Sequence, residues 1–118
     1  MKDIEPRVFR QRMLIEAKIG IEVRAETVKE FLNGIADHLD LKVYGEPVVY
    51  STGGLGKEIN QGFDGFVPLI DSGISISVWV PVNFIAVLVH TCKKFDPEKA
   101  AKFTKEFFKA TQIASKEF

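Results

Sequence analysis

The stretch LIDSGISISVW, Leu69–Trp79, places reactive side chains in an apolar setting. One alternate row reads Ile70, Ser72, Ile74, Ile76, Val78, and the other Asp71, Gly73, Ser75, Ser77, Trp79. Ser72 puts a hydroxyl into a row otherwise suited to burial, directly after the carboxylate of Asp71. Twenty residues on, His90 and Cys92 lie two apart on an extended segment, a spacing that puts both on one face of a strand. A thiol with a neighbouring imidazole is a nucleophile with its base, or half of a metal site. No further ligands cluster with them, and His38 falls on a separate segment, so metal binding is not expected; each residue alone also suits an ordinary core or rim. SerThrGlyGlyLeuGlyLys, Ser51–Lys57, has the flavour of a phosphate-cradling loop. It lacks the first glycine, has Glu58 where a Ser or Thr should follow the lysine, and shows no helix signal after it, so a lid or plain loop is the better reading. Asp64, between glycines in GFDGF, reads as a turn aspartate bonded to local backbone. Trp79 and Phe84 flank a turn and could stack on a planar ligand or cover a subunit face.

The elements that must position these groups are readable from periodicity. Residues 1–11 are charged, contain Pro6, and read as a loose arm. From Arg12, Met13, Ile15, Ala17, Ile19 and Ile21 alternate with polar residues, as in a half-exposed strand. Val28, Phe31, Leu32, Ile35 and Leu39 form one stripe of an amphipathic helix, weakened slightly by Gly34. LKVYGEPVVYS is a second strand broken near Gly45 and Pro47. TGGLGKEINQGFDG is a long loop with five glycines. Two long strands follow, Phe66–Val80 and Asn83–Cys92, with Pro81 and Val82 at their turn. The second is apolar on both faces, so both must be covered. Asp96 as cap, Pro97 in the first turn and Glu98 open a second helix whose buried stripe reads Ala100, Phe103, Phe107, Ala110. TQIASKEF supplies a last short strand. The order strand, helix, three strands, helix, strand predicts a two-layer α/β (α+β) sandwich, mostly antiparallel, with helices on one face.

The whole chain, 1–118, suits a single domain. Hydrophobic residues make up 46%, which argues against disorder. Sixteen basic and sixteen acidic residues cancel, so no global field favours nucleic acid or an acidic membrane. No apolar run is long enough to span a bilayer, and the N-terminus lacks the apolar stretch of a signal peptide. A lone cysteine fits a reducing cytoplasm. One helix layer leaves one sheet face open to a loop, a ligand or a second subunit, and a dimer is the expected arrangement.

The second half of the chain resembles the small prokaryotic S-adenosylmethionine decarboxylases. That family typically reads Gly-Val-Ser-Gly-Val-Val, then Glu-Ser-His-Ile-Ser-Ile-His-Thr-Trp-Pro-Glu, then Phe-Thr-Cys-Gly, then Asp-Pro and a helix. Here the matching stretches are GFDGFV from Gly62, DSGISISVWVP from Asp71, HTCK from His90, and Asp96-Pro97. The resemblance implies a homodimeric, pyruvoyl-dependent enzyme of polyamine (spermidine) biosynthesis. Ser72 would attack the carbonyl before it, turning amide into ester. Elimination would then split the chain into 1–71 and 72–118 and leave a pyruvoyl group derived from Ser72. Its ketone would form a Schiff base with the substrate amine and act as an electron sink. Cys92 matches the acid that returns a proton, Asp71 the acidic residue before the nucleophile, and Trp79 a family tryptophan.

The departures fall on the processing groups. The family serine that assists processing is Asp64, the histidine that takes the Cα proton is Ser77, the histidine after the nucleophile is Gly73, and the ribose-binding glutamate is Pro81. A neutral serine is a poor base; Asp64 or His90, the latter at a position the family leaves apolar, is the candidate substitute. Two functions follow. One is a self-processing decarboxylase of S-adenosylmethionine or a related amino acid, with Trp79 and Phe84 near the substrate. The other is an unprocessed homologue, a dimeric ligand-binding or regulatory domain, as a homodimer or paired with a paralogue.

Overall fold

The computed structural model describes every residue, Met1–Phe118. Its strands are β1 (Gln11–Lys18), β2 (Val48–Ser51), β3 (Gly62–Leu69), β4 (Ser72–Trp79), β5 (Phe84–Thr91) and β6 (Gln112–Glu117). Helix α1 (Ala25–His38) follows β1, and α2 (Pro97–Phe108) follows β5. The strands form one sheet in the order β2-β3-β4-β5-β1-β6, with every neighbouring pair antiparallel. The expected two-layer sandwich is present.

The strand alternation writes the core. Met13, Ile15 and Ala17 of β1, Val67 and Leu69 of β3, Ile74, Ile76 and Val78 of β4, and Ile85, Val87 and Val89 of β5 are buried on one face. Against them lie Val28, Phe31, Leu32, Ile35 and Leu39, the stripe expected of α1. Fully burying each such side chain contributes about 1.5–3 kcal/mol. Gly34 is a contact point: a Cβ there would sit 2.8 Å from Phe103 Cζ, so the missing side chain lets the helices close on each other. Asp96 caps α2, its Oδ1 accepting from the backbone N–H of Glu98 at 2.9 Å. The inward line of α2 is Ala100, Thr104 and Phe108, not the expected Ala100, Phe103, Phe107, Ala110. Phe103 and Phe107 flank it and meet Phe31, with ring centroids at 5.9 and 5.3 Å. Thr104 is tolerated in this line because its hydroxyl donates to the carbonyl of Ala100 at 2.8 Å.

The expected single strand Phe66–Val80 is instead two, turning at Ile70–Asp71, so the sheet has six strands rather than five. The inward row moves from odd positions, Val67 and Leu69, to even ones, Ile74, Ile76 and Val78. A two-residue turn produces that parity change, and the unbroken apolar run hides it. The expected glycine-rich loop also ends early, because β3 already begins at Gly62. The arm has local order: the Arg10 guanidinium donates to the Glu5 carbonyl at 2.9 Å and pairs with Asp3. Hydrogen bonding from Arg10 holds the Asp3 carboxyl below its ordinary range. No helix is long and apolar enough to cross a membrane.

Candidate functional site

The β3–β4 hairpin brings Ser72 to the edge of β5's last residues. The segment before β2 staples the hairpin: Ile70 N–H donates to the Lys42 carbonyl at 2.9 Å and Tyr44 N–H to that of Pro68 at 2.8 Å. Ser72, paired with Leu69 across the turn and with Thr91 on β5, has φ 128°. That region is nearly closed to residues with a Cβ, and occupying it costs about 1–3 kcal/mol. The strain sits at the bond whose chemistry is in question. The backbone N–H of Cys92 donates to the Asp71 carbonyl at 2.7 Å, polarising the acyl group that precedes Ser72. Cys92 Sγ lies 3.6 Å from Ser72 Oγ.

Cys92 is placed by the turn that ends β5, not by the strand, which stops at Thr91. The Thr91 hydroxyl accepts from Lys93 N–H at 2.9 Å and donates to the Lys93 carbonyl at 3.1 Å, fixing that turn. Cys92 and its thiol are exposed. The expectation that His90 and Cys92 share a strand is therefore corrected: His90 is in β5 and Cys92 is one residue past its end. His90 faces the helix-free side, directly opposite Gly73 on β4 and Arg12 on β1. His38 is on α1, stacked on Phe103 with centroids 5.2 Å apart.

Asp64 does not cap a turn. It lies in β3 opposite Ser77 of β4, and Ser77 Oγ donates to Asp64 Oδ1 at 2.8 Å. Five residue steps along the strand separate this pair from Ser72, about 16 Å of rise, so within one chain it does not reach the Asp71–Ser72 bond. Trp79 and Phe84 meet at the far end of the same hairpin pair, with centroids 5.3 Å apart, and Trp79 Nε1 donates to Asn60 Oδ1 at 3.1 Å. Ser72, Asp71 and Cys92 are thus brought together, His90 stands on the open face opposite Gly73, and Asp64, Ser77, Trp79 and Phe84 form a separate stretch of that face.

The loop with phosphate-loop flavour is closed by its own contacts. Gln61 is the residue that sequence reading missed: its amide oxygen accepts from Gly54 N–H at 3.0 Å, and its amide nitrogen donates to the Leu55 and Lys57 carbonyls at 2.7 and 3.1 Å. Leu55 N–H goes to the Thr52 carbonyl at 3.0 Å. Amides that a phosphate cradle needs are already used, and only a three-residue helical turn, Glu58–Asn60, follows. A glutamine in a glycine-rich loop carries no signal of this role in sequence.

Comparison with known proteins places this arrangement. The sequence profile of the family described as S-adenosylmethionine decarboxylase matches residues 20–118. Two relatives from strains of Clostridium botulinum, each an "S-adenosylmethionine decarboxylase proenzyme", are 32% identical over 91 residues, 75% of this chain and 72% of theirs. The crystal structure of the adenosylmethionine decarboxylase from Aquifex aeolicus superposes with a TM-score of 0.74, covering 94% of this chain and 89% of that one at 22% identity. With the profile spanning most of the chain, including the hairpin, β5 and both helices, the protein belongs to the S-adenosylmethionine decarboxylase family.

Proposed function

We propose that this chain is a self-processing, pyruvoyl-dependent decarboxylase of S-adenosylmethionine or a related amino acid in polyamine metabolism. The observation that carries the reading is the conjunction at one peptide bond: a strained Ser72, an Asp71 carbonyl held at 2.7 Å by the Cys92 amide, and the Cys92 thiol 3.6 Å from the Ser72 hydroxyl. Attack by Ser72 Oγ on the Asp71 carbonyl carbon develops negative charge on the carbonyl oxygen, where the Cys92 N–H already donates. Release from the positive-φ conformation favours breaking the bond. The residues present therefore suit formation of the group on Ser72. Once formed, the ketone supplies an electron sink for the carbanion left by loss of carbon dioxide. The exposed thiol of Cys92 stands beside that position and fits the return of a proton. Pro81, exposed in the turn after β4, offers no side-chain acceptor to a ribose. That favours a related amino acid over S-adenosylmethionine itself.

The functional unit is read as a homodimer. The helix-free face carries Leu14, Phe66, Trp79, Phe84 and Leu88, with Phe66 45% and Leu88 38% exposed in one chain. A patch of this kind around a polar centre fits a second copy.

Intact-mass measurement of the purified chain after denaturation tests the enzyme reading. Fragments 1–71 and 72–118, absent in Ser72→Ala, are expected. A single 13.2 kDa species that persists through long incubation overturns it. The Asp64–Ser77 hydrogen bond favours a second reading, the unprocessed dimeric binding domain, because it ties up both substituted processing positions; the same persistent full-length mass supports that alternative.

A further inference from the structure

We infer that Gln11 is a positioning residue for self-cleavage: its side-chain amide holds the turn that carries Cys92, and so keeps the Cys92 N–H on the Asp71 carbonyl. The inference rests on the self-processing reading and extends it to a residue outside the stretch that the family profile matches, which begins at residue 20. β5 ends at Thr91, and the residue opposite Thr91 on β1 is Gln11. Gln11 follows the parity of Met13, Ile15 and Ala17, so it stands on the helix side of the sheet, away from the open face read as meeting a second copy. Whatever covers that face, this contact lies within one chain.

The Gln11 amide bonds Phe95 as a neighbouring strand would. Its Nε2 donates to the Phe95 carbonyl at 3.0 Å, and its Oε1 accepts from the Phe95 N–H at 3.0 Å. Nε2 also donates to Glu117 Oε1 at 2.9 Å. One orientation of the amide satisfies all three bonds. A flipped amide would set its NH2 against the Phe95 N–H, and its oxygen against a carbonyl and a carboxylate. The side chain is therefore fixed at both ends, by its backbone in β1 and by its bonds to Phe95 and β6.

Cys92 sits between two ties to the sheet. Its own N–H donates to the Asp71 carbonyl at 2.7 Å, and further along the turn Phe95 is bonded to Gln11. The other contacts of the turn do not set where it sits. The Thr91 hydroxyl bonds Lys93 in both directions, a local contact that fixes the turn's shape and moves with it. Lys93 Nζ reaches the Asp40 carbonyl at 2.9 Å, through a long side chain that is 47% exposed. The Phe95 ring is buried, and its burial draws the segment to the core without giving it a direction. The Gln11 bonds supply the direction. Without them the turn is free to shift, and the bond that lengthens is the one that polarises the carbonyl under attack. The thiol, 3.6 Å from Ser72 Oγ, moves with it.

The test pairs cleavage with local protection. In a time course of intact mass on the full chain, Gln11→Ala should slow the appearance of 1–71 and 72–118 by about tenfold or more, the scale on which a misplacement of about 1 Å acts. Gln11→Glu, which keeps the shape but cannot donate to Phe95 or Glu117, should also be slow. The second readout is backbone amide exchange in the non-cleaving Ser72→Ala chain. Adding Gln11→Ala should raise exchange by about tenfold at Cys92 and Phe95, while Ile76 and Val87, paired in the middle of β4 and β5, keep their protection. A merely structural role would loosen all four together. Cleavage at the unaltered rate in either variant, slow cleavage with Cys92 as protected as before, or uniform loosening overturns the role of Gln11 while self-processing stands. A chain that never cleaves in its unaltered form removes the self-processing reading, and this inference with it.

Discussion

The two faces of the sheet are made by the same strands and have opposite characters. Along β4 and β5, the inward row Ile74, Ile76, Val78, Ile85, Val87 and Val89 is buried to within 3% of its surface. The outward row Gly73, Ser75, Ser77, Trp79, Phe84, Ala86, Leu88 and His90 mixes hydroxyls, rings and an imidazole. The inward row stabilises one chain. The outward row does little for one chain and carries the polar and aromatic groups that an interface or a site requires. Ser72 belongs to neither cleanly. It follows the parity of the core row, yet its positive φ and its contact with Cys92 take it to the sheet's end, where the rows stop being distinct. The proposed chemistry sits where the regular pattern fails.

Substitutions on the two faces should therefore separate stability from assembly. The largest effect is expected inside. Phe31 is fully buried under α2, with ring centroids 4.8 Å from Phe108 and 5.3 Å from Phe107. Phe31→Ala should lower unfolding free energy by about 3–5 kcal/mol, read from the denaturant midpoint; a loss under about 1 kcal/mol would show that the helices are not clamped as described. Leu88→Glu, on the open face opposite Leu14, should change the stability of a single chain by no more than about 0.5 kcal/mol. Its effect belongs to association: sedimentation at micromolar concentration should show the proposed dimer lost. A Leu88→Glu dimer as tight as the original would remove this face as the subunit contact.

The same contrast explains what could be read from sequence. Strand alternation and the α1 stripe were legible because burial on one face imposes a period. The Asp96 cap was legible because its chemistry is local, in three consecutive residues. The hairpin at Ile70–Asp71 was missed because apolar residues on both sides masked the shift of parity from Leu69 to Ile74. Asp-Ser-Gly at that shift was the available signal. The proposed site's position rests on resemblance to a family motif. Its decisive contact, Cys92 N–H to Asp71 C=O, joins backbone groups twenty-one residues apart, and no side-chain type encodes it. Gln61 and Asn60 were illegible for a similar reason: their partners are set by where the loop folds.

The smallest effect is expected from the open face's own polar pair, and it sharpens the contrast most. The resemblance to the family motif puts Ser77 at the position of the processing base, but its hydroxyl is spent on Asp64 at 2.8 Å. Within one chain it is about 16 Å from Ser72. Ser77→Ala should therefore leave the rate of fragment formation within about threefold, because a neutral hydroxyl beyond contact distance contributes no proton transfer. A much larger loss would mean that the pair reaches Ser72 from a second chain across the open face. Mixing tells the cases apart. If Ser77→Ala chains regain cleavage when combined with Ser72→Ala chains, each site draws Ser77 from its partner, and the outward face does chemistry in trans. If they stay slow, the loss lies within the altered chain. Unchanged cleavage in Ser77→Ala leaves the hairpin end and the last turn of β5 as the whole of the processing site.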